Sequence, residues 1–132
     1  MRKERWLIVD PSALLAAFLN EEERGRMEQK SSGCLLAAPG CICWETGNAL
    51  YGALKRGRIT LEQAQLVFTE VETMAIRILD VDINAALGIA AEHTIPAYDA
   101  YYLQCAVRFG YPLLTLDRRM LDVARNMNLA VA

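Results

Sequence analysis

Four acidic residues in this 132-residue chain occupy positions that solubility alone does not explain. Asp10 directly follows the apolar run Trp6-Leu7-Ile8-Val9, and Asp117 directly follows Leu113-Leu114-Thr115-Leu116. Glu45 falls, at helical spacing, on a stripe with Ile42, Thr46, Ala49, Gly52 and Ala53, all small or apolar. Asp99 opens a helical segment on the stripe continued by Tyr102, Leu103 and Ala106. Each acid taken singly has a structural explanation. An Asp after a strand can cap a helix, a Glu at a stripe's edge can reach out to water, and an acid in a first turn suits the helix dipole. Gathered into one cleft without a basic partner, the four would repel by several kcal/mol at an effective dielectric of about 20. An all-oxygen acidic set suits a hard divalent cation, Mg²⁺ or Mn²⁺. Four carboxylates could hold two such ions, the arrangement that activates water and stabilises the leaving oxygen in phosphodiester cleavage.

Convergence depends on the elements that carry the acids. The apolar runs at 6–9, 34–38 and 113–116 have the form of fully buried strands, and 75–79 alternates as a strand does. Between them lie helical segments. One starts at Pro11, whose fixed φ suits a first turn. Others cover 20–30, about 41–55, 60–73 (with a Thr60–Gln63 capping pattern), 83–92, 98–109 stopped by Gly110, and 118–126. Residues 129–132 are expected as an edge strand. Strands separated by helices pair in parallel through right-handed crossovers. The expected fold is therefore a three-layer α/β/α sandwich around a parallel sheet of four to five strands, occupying 1–132 as a single domain. Ligands of such sheets bind beyond the carboxyl ends of the strands, where strand order reverses. Asp10 and Asp117 both project from that edge.

Composition narrows the classes. With 54% hydrophobic and 23% charged residues, 8 Gly and 4 Pro, the chain is neither disordered nor collagen-like. The longest apolar stretch, 35–44, is broken by Pro39 and Gly40 and is too short to span a bilayer. The opening Met-Arg-Lys-Glu-Arg is charged and the apolar run after it is short, so no secretory signal and a cytoplasmic location are expected. A net charge of −2 excludes nucleic-acid binding through a strong overall field, though not a nuclease whose acidic centre is screened by metal. Cys34, Cys41, Cys43 and Cys105 lack a second paired motif, and His93 is the only histidine, so buried reduced thiols are expected rather than a zinc site.

The motifs in order are Ile8-Val9-Asp10-Pro11-Ser12-Ala13-Leu14, then Glu45-Thr46-Gly47-Asn48-Ala49-Leu50, then Tyr98-Asp99-Ala100-Tyr101-Tyr102-Leu103 with Ala106, then Leu113-Leu114-Thr115-Leu116-Asp117. In order and spacing this series resembles the PIN-domain family, and within it the VapC-type toxin ribonucleases. The resemblance runs through almost the whole chain. It implies a Mg²⁺- or Mn²⁺-dependent endoribonuclease with Asp10, Glu45, Asp99 and Asp117 as catalytic, metal-binding acids. It also implies that Ser12, Asn48 and Thr115 support them, that the protein is a homodimer, and that a cognate antitoxin neutralises it. Pro11 departs from the pattern, which usually has a small polar residue there. Arg118 and Arg119 are candidates for the RNA phosphate, whereas the cations Lys55, Arg56 and Arg58 suit a helix C-terminus. Tyr98 and Tyr101 could stack on bases; Tyr102 is expected in the core.

Two other classes share the architecture. A receiver-like phosphoacceptor would carry paired acids after its first strand and a late Lys, but Pro follows Asp10 and no Lys occurs after Lys55. A metal-dependent phosphatase would place a second Asp at position 12, which is Ser. A non-catalytic binding module is the remaining alternative, and it is distinguished by whether the acids converge.

Overall fold

Apolar runs too short for a helix become the strands of the sheet in the computed structural model, which describes residues 4–132 and, within them, every side chain except that of Glu21. Residues 1–3 of the charged opening lie outside the described residues. Strands β1 (Arg5–Val9), β2 (Cys34–Pro39), β3 (Ile76–Leu79) and β4 (Leu113–Leu114) are all parallel, in the order β3-β2-β1-β4. The central pair is held in register by Leu7 opposite Leu36 and Ile8 opposite Ala37, and β4 sets Leu113 and Leu114 beside Ile8 and Val9. Leu7, Ile8, Val9, Ala37 and Ala38 are all buried, as expected for strands covered on both faces.

Among the described residues seven helices cover the sheet: α1 (Pro11–Leu19), α2 (Glu21–Ser31), α3 (Ile42–Lys55), α4 (Leu61–Thr73), α5 (Ile83–His93), α6 (Ala97–Phe109) and α7 (Arg118–Asn126). From β1 to β2 to β3 the chain steps in one direction across the sheet, so right-handed crossovers put α1 to α4 on one face. It then returns past β1 to β4, which puts α5 and α6 on the other. The contacts agree: α1 packs on α2 and α3, and α3 on α4, whereas α6 packs on α5, α7, β1, β2 and β4. The result is the three-layer sandwich expected. Strand order reverses between β1 and β4, which locates the cleft beside the carboxyl end of β1.

Two expectations are corrected. The run 113–116 is strand only at Leu113–Leu114, because beyond it the backbone bonds to side chains instead of to a neighbouring strand: Leu116 N donates to Ser12 Oγ and Asp117 N to Thr115 Oγ1. The segment 129–132 contributes one isolated bridge, Leu113 to Val131, so the sheet has four strands. Among the described residues no helix is long and apolar enough to cross a membrane. Of the four cysteines, Cys41 and Cys105 are buried but Cys34 is half-buried and Cys43 exposed, since position 43 turns a third of a helical turn away from buried Ile42.

Helix α6 ends where Gly110 takes a left-handed conformation (φ +69°) and donates its N–H to Ala106 O. A side chain there would meet open space, so only backbone strain opposes it. Gly110→Ala should therefore cost about 1–2 kcal/mol, measured as a lower urea midpoint at unchanged m-value. An unchanged midpoint would show that the turn relaxes to another conformation.

Candidate active site

All four acids start helices. Asp10 caps α1, its Oδ1 accepting from Ala13 N (3.1 Å), and Asp117 caps α7, its Oδ1 accepting from Met120 N (3.1 Å). Glu45 and Asp99 lie in the first turns of α3 and α6. The capping explanation of Asp10 and Asp117 is thus correct as far as it goes. It does not explain why Asp10 is only 3% exposed.

Hydroxyls account for that burial. Ser12 Oγ donates to Asp10 Oδ1 (2.7 Å) and Thr115 Oγ1 donates to Asp10 Oδ2 (2.7 Å). The same two hydroxyl oxygens accept from Leu116 N (2.9 Å) and Asp117 N (3.0 Å). Each hydroxyl has one proton, and both protons point to Asp10, so the 3.1 Å Ser12–Thr115 approach is a contact of two oxygens already committed. The network runs from backbone N–H through hydroxyl to carboxylate and favours the charged form. Burial works against it more strongly and pushes the Asp10 carboxyl above its usual 3.8, and the neighbouring Asp117 charge adds to the rise. With Ser12, Ala13 and Thr115 using three of about four lone-pair directions, Asp10 has about one left to offer.

Glu45 is held from another layer. Tyr102 in α6 donates its phenol to Glu45 Oε2 (2.5 Å), and the Cys41 thiol approaches the phenol oxygen at 4.0 Å. Burial raises the Glu45 carboxyl above 4.5, against the pull of the Tyr102 bond, and the charges of Asp99 and Asp10 raise it further. Burial likewise raises the Tyr102 phenol, and it takes the Cys41 thiol up to about 11. Tyr102 is in the core as expected, at 1% exposure, but its hydroxyl belongs to the site. Residue type and spacing gave no sign of it, because the bond joins two helices 57 residues apart.

Asp99 is raised by burial, then by the charge of Asp117, while Arg119 lowers it and Asp10 raises it. Asp10, Glu45, Asp99 and Asp117 therefore lie close enough to share one field, at the edge where strand order reverses. Among the described residues none of the four makes a salt bridge. Both paired arginines are exposed, and Arg119 is the one whose charge reaches Asp99. Asn48 is also exposed, on α3 one turn beyond Glu45. Among the described residues no three Asp, Glu, His or Cys side chains close to a ready metal cage. In donor chemistry the set still fits a hard cation, since it is all carboxylate oxygen and its mutual repulsion is not neutralised by ion pairs.

The PIN domain family model matches residues 7–126. Among curated proteins, Ribonuclease VapC3 of Pyrobaculum aerophilum is 27% identical over 121 residues, covering 88% of this chain and 92% of the relative. Exonuclease VapC9 of the same organism is 29% identical over 114 residues, covering 86% and 82%. Among solved structures, PAE2754 from Pyrobaculum aerophilum superposes with a TM-score of 0.70 at 27% identity, over 92% of this chain and 87% of that one. FitAcB from Neisseria gonorrhoeae shares the fold at a TM-score of 0.63 and 15% identity, over 95% of both chains.

Two measurements test the site without any added ion. Thr115→Val removes the donor to Asp10 Oδ2 inside a buried network, and should cost about 1.5–3 kcal/mol in urea unfolding, the range for a hydrogen bond to a charged group. A loss under 0.5 kcal/mol, about the smallest net value for any hydrogen bond, would mean that Asp10 does not depend on the clasp. The pH dependence has a definite sign. Asp10, Glu45 and Asp99 have native values above their unfolded ones, so the native state binds more protons between the two. The stability they give is fully present below pH about 4 and is lost as pH rises through the raised native values. In EDTA at pH 7, Asp99→Asn should therefore melt about 2–5 °C above the parent, with a shallower loss between pH 4 and 7. A variant that melts lower at pH 7 would make Asp99 a stabilising helix-start acid instead.

Proposed function

The chain belongs to the PIN domain family, and from that premise we propose that it is a Mg²⁺- or Mn²⁺-dependent endoribonuclease, the toxin of a type II toxin–antitoxin pair. The observation that carries this reading is the shared field of Asp10, Glu45, Asp99 and Asp117 at the β1/β4 switch point, free of salt bridges among the described residues. A binding module has no use for such uncompensated repulsion, which is costly until a cation enters.

These four residues would hold the cation. When bound, it supplies activation of a water nucleophile and stabilisation of negative charge on the phosphate and the leaving oxygen. The protein's own groups do the rest. Ser12 and Thr115 hold the Asp10 carboxylate in one orientation. Arg119, the cation whose charge reaches Asp99, would bind an RNA phosphate, and Arg118, exposed like it, would extend that track. Asn48, exposed one turn beyond Glu45, would contact a sugar or base on that side. Trp44, Tyr51, Leu61 and Leu66 leave apolar surface in solvent along α3 and α4, which a second copy or an antitoxin would cover.

One relative is named a ribonuclease and another an exonuclease, so the decisive substrate is RNA without ends. Purified protein should open a circular single-stranded RNA in Mn²⁺ or Mg²⁺ and stop in EDTA. Asp10→Asn should lose more than the roughly 10–100-fold that second-sphere changes cost. Degradation of linear RNA alone would make the enzyme an exonuclease. Cleavage that persists under thorough chelation would overturn the metal, and an Asp10→Asn protein as active as the parent would overturn the site.

A further inference from the structure

We propose that Tyr102 is a positioning residue for the cation site, its hydroxyl fixing the Glu45 carboxylate relative to Asp99; the inference rests on the reading that Glu45 is a metal ligand. Glu45 has three side-chain torsions, and from its place at the edge of the α3 stripe its carboxylate could swing into water. The phenol prevents this. Its ring is 1% exposed and packed within the core, so the hydroxyl cannot follow Glu45 to another position. Its single proton goes to Glu45 Oε2, and the Cys41 thiol lies 4.0 Å from its oxygen. With Oε2 committed to the phenol, Oε1 is the oxygen left to face a cation.

Geometry ties this bond to a second acid. Tyr102 lies three residues after Asp99 on α6, so the two side chains are neighbours on one helix face. The phenol therefore makes α6 a rigid ruler, with Asp99 at one end and the grip on Glu45 one turn along. Asp10 receives the same treatment from Thr115, which reaches it from a different element. Partners of this kind typically change metal affinity by 10–100-fold when removed.

The test is Mn²⁺ binding by titration calorimetry, without RNA, on the parent, Tyr102→Phe, Glu45→Gln and the double variant. Tyr102→Phe keeps the ring in the core, and the expected result is Mn²⁺ binding weakened about tenfold or more. In the Glu45→Gln background the same change should add no further loss, because its effect passes through Glu45. Parent-like affinity in Tyr102→Phe, or an equal loss in both backgrounds, would overturn the proposal. If Glu45→Gln binds Mn²⁺ as tightly as the parent, the ligand reading itself falls, a different failure. Should Tyr102→Phe fold poorly, ring-labelled tyrosine in the parent gives a second measurement. Paramagnetic Mn²⁺ should broaden the Tyr102 resonance in the parent but not in Glu45→Gln at the same concentration, and an unbroadened parent resonance would place the phenol away from the site.

Discussion

Like charges gathered at the rim of an apolar sheet are the constraint on which the rest of this structure depends. Asp10, Glu45, Asp99 and Asp117 repel one another, and apart from the charge of Arg119 near Asp99 the protein answers with dipoles rather than ions. Each acid stands at a helix N-terminus, where unsatisfied N–H groups and the helix dipole present partial positive charge. Hydroxyls from Ser12, Thr115 and Tyr102 supply the remaining donors. Dipoles hold an anion in place without cancelling its charge. The cleft keeps a negative field that full ion pairs would have extinguished.

The parallel sheet is what makes such a rim available. Strands that run one way deliver every carboxyl end, and every following helix start, to the same edge. Burial on both faces leaves no room for charge inside, so the polar residues collect where the strands stop. The two-residue length of β4 belongs to the same pattern. Its backbone leaves the ladder at Thr115 so that the hydroxyl can face Asp10 and the following amides can face Ser12 and Thr115. Pairing is given up at the point where the site begins.

Most of this was legible in the residues. Punctuation by Pro11, Pro39-Gly40, Thr60, Pro96 and Gly110 marks helix starts and stops to within a residue or so, because caps and turns are decided locally. The four acids were legible for the same reason, since their place after a strand or in a first turn is a local fact. What was hidden is long-range. Leu116 looked like strand because residue type does not reveal that its amide bonds to Ser12, 104 residues away. Tyr102 looked like packing because an aromatic ring in a stripe is usually that, and its partner sits on another helix. Arg118 and Arg119 could not be ranked until the rotation of α7 was known, as successive residues on a helix face 100° apart. The edge strand at 129–132 shrank to one bridge because an outer strand is specified by a single neighbour.

The clasp between Asp10 and Thr115 joins residues 105 apart, and β4 follows β1, β2 and β3 in chain order. A chain emerging from the ribosome folds from its N-terminal side as it grows. Until residues 113–119 have emerged, β1 lacks its second neighbour, Asp10 lacks Thr115, and neither Asp117 nor Arg119 is present. The four acids can come together only after that point. Shorter lengths of the growing chain therefore carry Asp10, Glu45 and Asp99 without the hydroxyl that clasps Asp10, and the order of translation acts as a built-in delay on completing the cleft.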